Sequence, residues 1–171
     1  MRGMKRLKDT MKKEINILAC ILMLLCLATS CREEGKTGIP EKYYLNVKNV
    51  TFSVGDDADE VTARLGECNS SASAPSCAGE GFDEVYRYNG FRIIVHRDAK
   101  GAKITEIDLL SDLLPTAEGV FIGDDADKIK KIYGEGEGFS GGVEYRAEGC
   151  RLRFFITDGR VTGIKYLEVG S

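Results

Sequence analysis

From residue 45 onward the apolar positions fall into two rhythms, and each rhythm occurs twice. Ala58, Val61 and Leu65 recur at helical spacing, and so do Ala126, Ile129 and Tyr133. Each set marks one apolar stripe on a short helix. A β-rich run leads into each helix, Val50-Thr51-Phe52-Ser53-Val54 in the first case and Val120-Phe121-Ile122 in the second. Gly66 and Gly134 stand where a helix stops in a left-handed residue. Beyond the helices the period changes to two. Phe91, Ile93 and Val95 alternate with polar residues, as do Cys150, Leu152, Phe154 and Ile156. Tyr88-Asn89-Gly90-Phe91 predicts a two-residue hairpin, because Asn-Gly accepts the positive φ angles of a type I′ turn. Glu148-Gly149 occupies the same place in the second series. A third strand is predicted over Lys103 to Leu110 and again over Arg160 to Val169. In the latter, Val161 and Ile164 fall on opposite parity, which a β-bulge would reconcile.

The two series are copies of one unit. Gly55-Asp56-Asp57-Ala58-Asp59 returns as Gly123-Asp124-Asp125-Ala126-Asp127, and Gly79-Glu80-Gly81-Phe82 returns as Gly136-Glu137-Gly138-Phe139. A repeat of this length must be recognised before the fold is read. Aligned in this way, residues 68–78 are an insertion in copy one. The expected fold class is α+β: two tandem helix-plus-three-strand repeats forming one antiparallel sheet with both helices on one face. One such unit alone would leave an exposed sheet edge. The expected boundaries are a leader over 1–30, a tether over 31–44, repeat 1 over 45–110 and repeat 2 over 111–171.

The leader has a basic start (Arg2, Lys5, Arg6, Lys8, Lys12, Lys13) followed by an apolar run from Ile15 to Ala28, interrupted by Asn16. That run is shorter than a spanning helix and ends in small residues, the pattern of a secretory signal. The ending Leu27-Ala28-Thr29-Ser30-Cys31 resembles a bacterial lipobox, which implies that Cys31 is lipidated and becomes the mature N-terminus. The alternative is an ordinary cleaved signal with a chance cysteine. Removing residues 1–30 takes six basic and two acidic residues from totals of 24 and 27, leaving a net charge of −7. A chain this acidic lacks the basic footprint of a nucleic-acid binder. Its expected membrane attachment therefore comes from lipid on Cys31 rather than from charge.

Candidate chemistry is sparse. Asp56 or Asp57 suits the start of the first helix, and the aspartates lack the alternating ligand pattern of an EF-hand, so capping is favoured over metal. No cofactor or metal ligand set is read. Cys68 and Cys77 bound a Ser/Ala/Pro stretch and in an exported chain suggest a disulfide-closed loop, with a closure gain of roughly 2.5 to 3 kcal/mol. On this reading Cys150 is a buried free thiol, and deleting 68–78 is tolerated. His96 is the one histidine and has no nucleophile motif beside it. Glu106 and Asp108 share a strand face, which leaves open a remote reading as a cell-wall hydrolase. Tyr43, Tyr44, Tyr86, Tyr88 and Tyr145 could line a pocket for a small molecule or ion, or simply pack.

The hairpins make a further prediction. With Asn89-Gly90 as the turn, Arg87 faces Arg92 on the side of the sheet away from the core. In copy two Arg146 faces Arg151, with Arg153 close by. Like charges directly opposite are unfavourable by some tenths of a kcal/mol. Either Glu106, Asp108 and Glu144 neutralise these arginines, or the face docks an acidic partner.

The segments Val54-Gly55-Asp56-Asp57-Ala58-Asp59-Glu60-Val61 with Leu65-Gly66-Glu67, and Ile122-Gly123-Asp124-Asp125-Ala126-Asp127-Lys128-Ile129 with Tyr133-Gly134-Glu135, resemble the small repeat of BamE (SmpA/OmlA-like) envelope lipoproteins. Arg160-Val161-Thr162-Gly163-Ile164 fits the same pattern, and the duplication is similar to the β-lactamase inhibitor protein family. The resemblance implies a non-catalytic binding or assembly role, with an envelope or secreted protein as partner. By analogy of this kind it implies a class of function rather than a particular partner.

Overall fold

The computed structural model describes residues 41–77 and 79–169. The leader, Cys31 and the tether up to residue 40 lie outside the described residues. Among those described, no helix is long and apolar enough to cross a membrane.

The folded body begins earlier than the tether reading implies. Tyr43 is buried, and its carbonyl accepts a hydrogen bond from Ser53 Oγ at 2.6 Å. The lead-in strand is in fact a hairpin, β1 (Leu45–Val47) and β2 (Val50–Phe52), turned through Lys48 and Asn49 at positive φ. Helix α1 (Ala58–Leu65) follows, then β3 (Ser70–Pro75), β4 (Phe82–Tyr88), β5 (Phe91–Asp98) and β6 (Gly101–Leu109). Helix α2 (Ala126–Tyr133) opens the second copy and is followed by β7 (Glu137–Phe139), β8 (Gly142–Ala147), β9 (Cys150–Thr157) and β10 (Arg160–Glu168).

Local chemistry sets the helix ends. Asp57 caps α1 by accepting the N–H groups of Asp59 and Glu60 at 3.0 and 3.1 Å. Asp125 does the same for α2 through Asp127 N–H at 2.9 Å. These side chains satisfy donors that have no partner within the helix. Gly66 and Gly134 end the helices at φ 80° and 78°. The adjacent Asp56 and Asp124 brace the preceding turn, accepting from Ser53 N–H and Phe121 N–H at 2.8 and 2.7 Å.

The eight longer-range strands form one antiparallel sheet in the order β3-β4-β5-β6-β10-β9-β8-β7. The copies meet at the central β6–β10 pair, where Ile164 faces Leu109 and Tyr166 faces Ile107. The bulge anticipated in the last strand is present, between Val161 and Gly163. A second shift lies between Ile94 and Val95 of β5, opposite Thr105 of β6.

This architecture corrects the expected fold class. Among the described residues the chain is mostly β, each copy supplies four sheet strands rather than three, and the two helices do not by themselves make the second layer. Each helix has eight residues and is roughly 12 Å long, too short to cover eight strands spaced about 4.8 Å apart. The helices contribute Ala58, Val61 and Ile129 to the buried core, while β1 and β2 contribute Leu45, Val47, Val50 and Phe52. Phe52 meets Phe91 of the sheet with ring centroids 6.1 Å apart.

The fourth strands also correct the alignment of the copies. Phe82 opens β4 and pairs with Arg97, whereas Phe139 closes β7 and pairs with Gly142. The repeated Gly-Glu-Gly-Phe letters therefore occupy different structural places. Residues 68–78 are not an inserted loop, since they contain β3, the counterpart of β7.

Candidate interaction surface

The sheet face away from the core is built by strand parity. On β5, Phe91, Ile93 and Val95 are buried, which turns Arg92, Ile94 and His96 outward. The predicted register is present: Arg87 pairs with Arg92, and Arg146 pairs with Arg151. All five predicted arginines thus lie on one face, with Lys165 at its centre opposite Asp108 and Arg153.

Two buried carboxylates organise them. Asp108 and Glu144 are only 3% and 4% exposed on an otherwise open face, because the stems of the cations cover them. Arg92 Nε donates to Asp108 Oδ2 at 2.6 Å. Lys165 Nζ stands 2.6 Å from Glu106 Oε1 and 3.1 Å from Asp108 Oδ1. In the second copy Arg146 Nε donates to Glu144 Oε1 at 3.0 Å and reaches Glu137 at 3.1 Å. Arg153 Nε donates to Glu144 Oε2, and Arg151 lies 3.9 Å from the same oxygen. Burial pushes the Glu144 carboxyl up, but Arg153, Arg146 and Arg151 outweigh it and hold it below the usual carboxylate range. Glu106 goes the other way, raised by burial and by its hydrogen bond with Asp108 against the pull of Lys165. Arg87 differs from the rest. It is exposed, and among the described residues it makes no ion pair.

Lys165 occupies the space between Glu106 and Asp108, which is where a substrate would have to sit for the two acids to work as a catalytic pair. His96 Nδ1 lies 2.9 Å from Asp83 Oδ1, and Ser76 Oγ donates to Asp83 Oδ2 at 2.9 Å. The sequence reading missed this serine–aspartate–histidine chain. Its order is wrong for nucleophilic catalysis, because the aspartate separates the hydroxyl from the imidazole that would take its proton.

The tyrosines do not converge. Tyr43 and Tyr145 pack around Tyr133, at centroid distances of 6.1 and 5.1 Å, and burial pushes Tyr43 up to about 12. Tyr88 stacks on Phe91 at 4.9 Å beside a small cleft of ≈ 100 Å³ with Val47 and Leu65. Tyr44 lines a different, polar cleft with Lys42, Glu148 and Glu168. Tyr86 donates to Glu84 Oε2 at 2.9 Å.

Cys68 and Cys77 are free and stand at opposite ends of β3. A six-residue strand advancing about 3.3 Å per residue separates them by far more than the ~4.4–6.8 Å Cα spacing of a disulfide, so the expected intrachain bridge is corrected. Cys150 is buried and free, its thiol pushed up by burial. Sequence reasoning also missed Arg97, which ties helix to sheet through Asp59 at 2.7 Å and Glu84 at 3.0 Å. Its position at the end of an alternating strand gave no sign of this.

No family model matches the chain, and no curated protein matches it. Among solved structures the chain is similar to an extracellular protein containing a SCP domain from Bacillus anthracis str. Ames. The TM-score is 0.52 at 14% identity, over 80% of this chain and 50% of that one. The chain spans about half the length of that protein, and the likeness concerns the fold.

Proposed function

We propose that this protein is a non-catalytic interaction module of the bacterial cell envelope, lipid-anchored through Cys31, that docks an acidic envelope or secreted protein on the arginine face of its sheet. The observation that carries the reading is Arg87, an exposed cation without a carboxylate among the described residues, at a register position where copy two surrounds its equivalent, Arg146, with Glu144 and Glu137. The face holds Arg87, Arg92, Arg146, Arg151, Arg153 and Lys165 against Asp83, Glu106, Asp108, Glu137 and Glu144, a surplus of one cation on a chain of net charge −3. Such a patch steers and orients an acidic partner. The resemblance of the repeat to BamE-like lipoproteins supports the class, and the extracellular setting of the B. anthracis structure supports the extracytoplasmic location.

The experiment is crosslinking from position 87 in the anchored protein, with the captured protein identified and its binding then measured directly. An acidic partner whose affinity falls at least about tenfold with Arg87→Glu, and recovers in Arg87→Lys, supports the reading. Unchanged affinity in Arg87→Glu overturns the docking face. Membrane retention and normal processing of Cys31→Ser would overturn the lipid anchor.

A further inference from the structure

We propose that Glu106 and Asp108 form a proton switch within the arginine face. Taking up one proton turns Glu106 from an acceptor for Lys165 into a donor to Asp108. Lys165 and Arg92 are then left to share one carboxylate, and the face gains a charge for an acidic partner. The consequence for binding rests on the docking reading above, whereas the proton site itself does not.

Ile107 and Leu109 of β6 are buried in the core, so Glu106 and Asp108 share the outward side of the strand. Both reach one ammonium, Lys165 Nζ, at 2.6 and 3.1 Å. They are otherwise provided for unequally. Asp108 Oδ2 has Arg92, through Nε at 2.6 Å and Nη2 at 2.5 Å. Glu106 has no second cation among the described residues. Its sheet neighbours are Ile94 on β5 and Leu167 on β10, aliphatic side chains that make ionisation costlier. Asp108 Oδ1 is buried and, apart from the ion contact with Lys165, has no hydrogen-bond donor among the described residues. A buried oxygen in that state lacks a partner, and the neighbouring carboxyl of Glu106 supplies one once it is protonated. Two carboxylates sharing one cation also favour holding a proton between them. The direction agrees: burial, then the bond with Asp108, raises Glu106 against the pull of Lys165.

The other charged groups on this side of the sheet near Glu106 are Lys103 on its own strand and Arg92 and His96 on β5. Arg151 lies one strand further, beside Leu167. Of these His96 also titrates, raised by its bond to Asp83, and a test must take it out of play. The second copy holds no matching site. Glu144, which burial would raise, is kept low by Arg153, Arg146 and Arg151 and stays ionised where Glu106 takes up its proton. The switch therefore acts in one half of the face, beside Arg92 and its partner Arg87.

The test follows the carboxyl carbon of Glu106 by NMR in the full chain as pH falls from neutral. Its midpoint should lie above the ordinary 4.5, with the Asp108 signal moving in the same step. Lys165→Gln should raise that midpoint and Asp108→Asn should lower it, each by about half a pH unit or more. Where one variant does not fold, the other still decides. Dextran sulfate, whose sulfates stay ionised throughout, is the binding probe, with His96→Gln as the background. At low ionic strength its affinity should rise at least about threefold as pH falls through the Glu106 midpoint. Glu106→Gln in the same background should bind at neutral pH as tightly as its parent does below the midpoint, without the step. A Glu106 midpoint at or below 4.5, a midpoint that neither substitution moves, flat binding by the parent, or a step that persists in Glu106→Gln would each overturn the proposal. Failure of the docking reading shows separately, as unchanged binding of the captured partner by Arg87→Glu while the Glu106 midpoint stays raised.

Discussion

The two halves of the sheet place an arginine pair at the same register and neutralise it in different ways. In the first half the carboxylate comes from β6, as Asp108 beneath Arg92. In the second it comes from β8, as Glu144 among Arg146, Arg151 and Arg153. The residue equivalent to Glu144 is Val85, and the residue equivalent to Asp108 is Leu167. The cations are therefore the repeated feature, while each copy has its own answer to their repulsion. Arg87 is the cation that neither answer reaches. The halves also end differently, in a long uncharged edge at β3 and a short acidic one at β7.

The largest expected effect separates Gly142 from its equivalent, Asp83. A Cβ at Gly142 would stand 1.9 Å from Phe154 O, so Gly142→Ala should cost about 3 kcal/mol or more in urea unfolding. Asp83→Ala, at a site that already accepts a Cβ, should cost less than about 1 kcal/mol. Comparable losses would show that the halves are equally tight there.

Next is Glu144→Gln, expected to cost about 2 to 3 kcal/mol because it leaves three arginines around an uncharged group. The figure sits at the low end for such losses because Arg146 is well exposed. The converse, Val85→Glu, copies the second half's arrangement into the first. It should leave stability unchanged or slightly raised while reducing partner affinity as Arg87→Glu does. Undiminished affinity would separate Arg87 from docking.

The pH dependence is smaller and follows from the same carboxylate. The folded-state pKa of Glu144 lies below its ordinary value of 4.5. Its contribution is therefore present above 4.5 and lost as pH falls through the lowered folded value. Acid unfolding of Glu144→Gln should be shallower than wild type over that interval. Parallel curves would show that other groups set the acid limit. The smallest effect is Arg87→Gln, expected within about 0.5 kcal/mol of wild type in urea unfolding, since Arg87 makes no ion pair among the described residues.

What could be read in the sequence was whatever depends on near neighbours. The helix caps at Asp57 and Asp125, the Asn89-Gly90 turn and the facing arginines follow from local rules: a capping side chain, a turn type and a two-residue period. The bulge near Thr162 was visible for the same reason, since a broken period is itself a local signal. β3 left no such trace. Neither of its faces is buried, so nothing required apolar alternation, and Ser70 to Pro75 read as a loop. The identical letters at Gly79–Phe82 and Gly136–Phe139 then strengthened the wrong alignment.

The tertiary structure decided which groups meet across the chain. Cys68 and Cys77, nine positions apart in sequence, are kept apart because the chain between them is extended, a matter of pairing with β4 rather than of composition. That Lys165 reaches both Glu106 and Asp108 depends on β6 lying beside β10, a contact between residues more than fifty apart. The second layer was decided in the same way. Short helices were legible from their periods, but whether they or the β1–β2 hairpin covered the core depended on area and packing, which no single stretch of sequence carries.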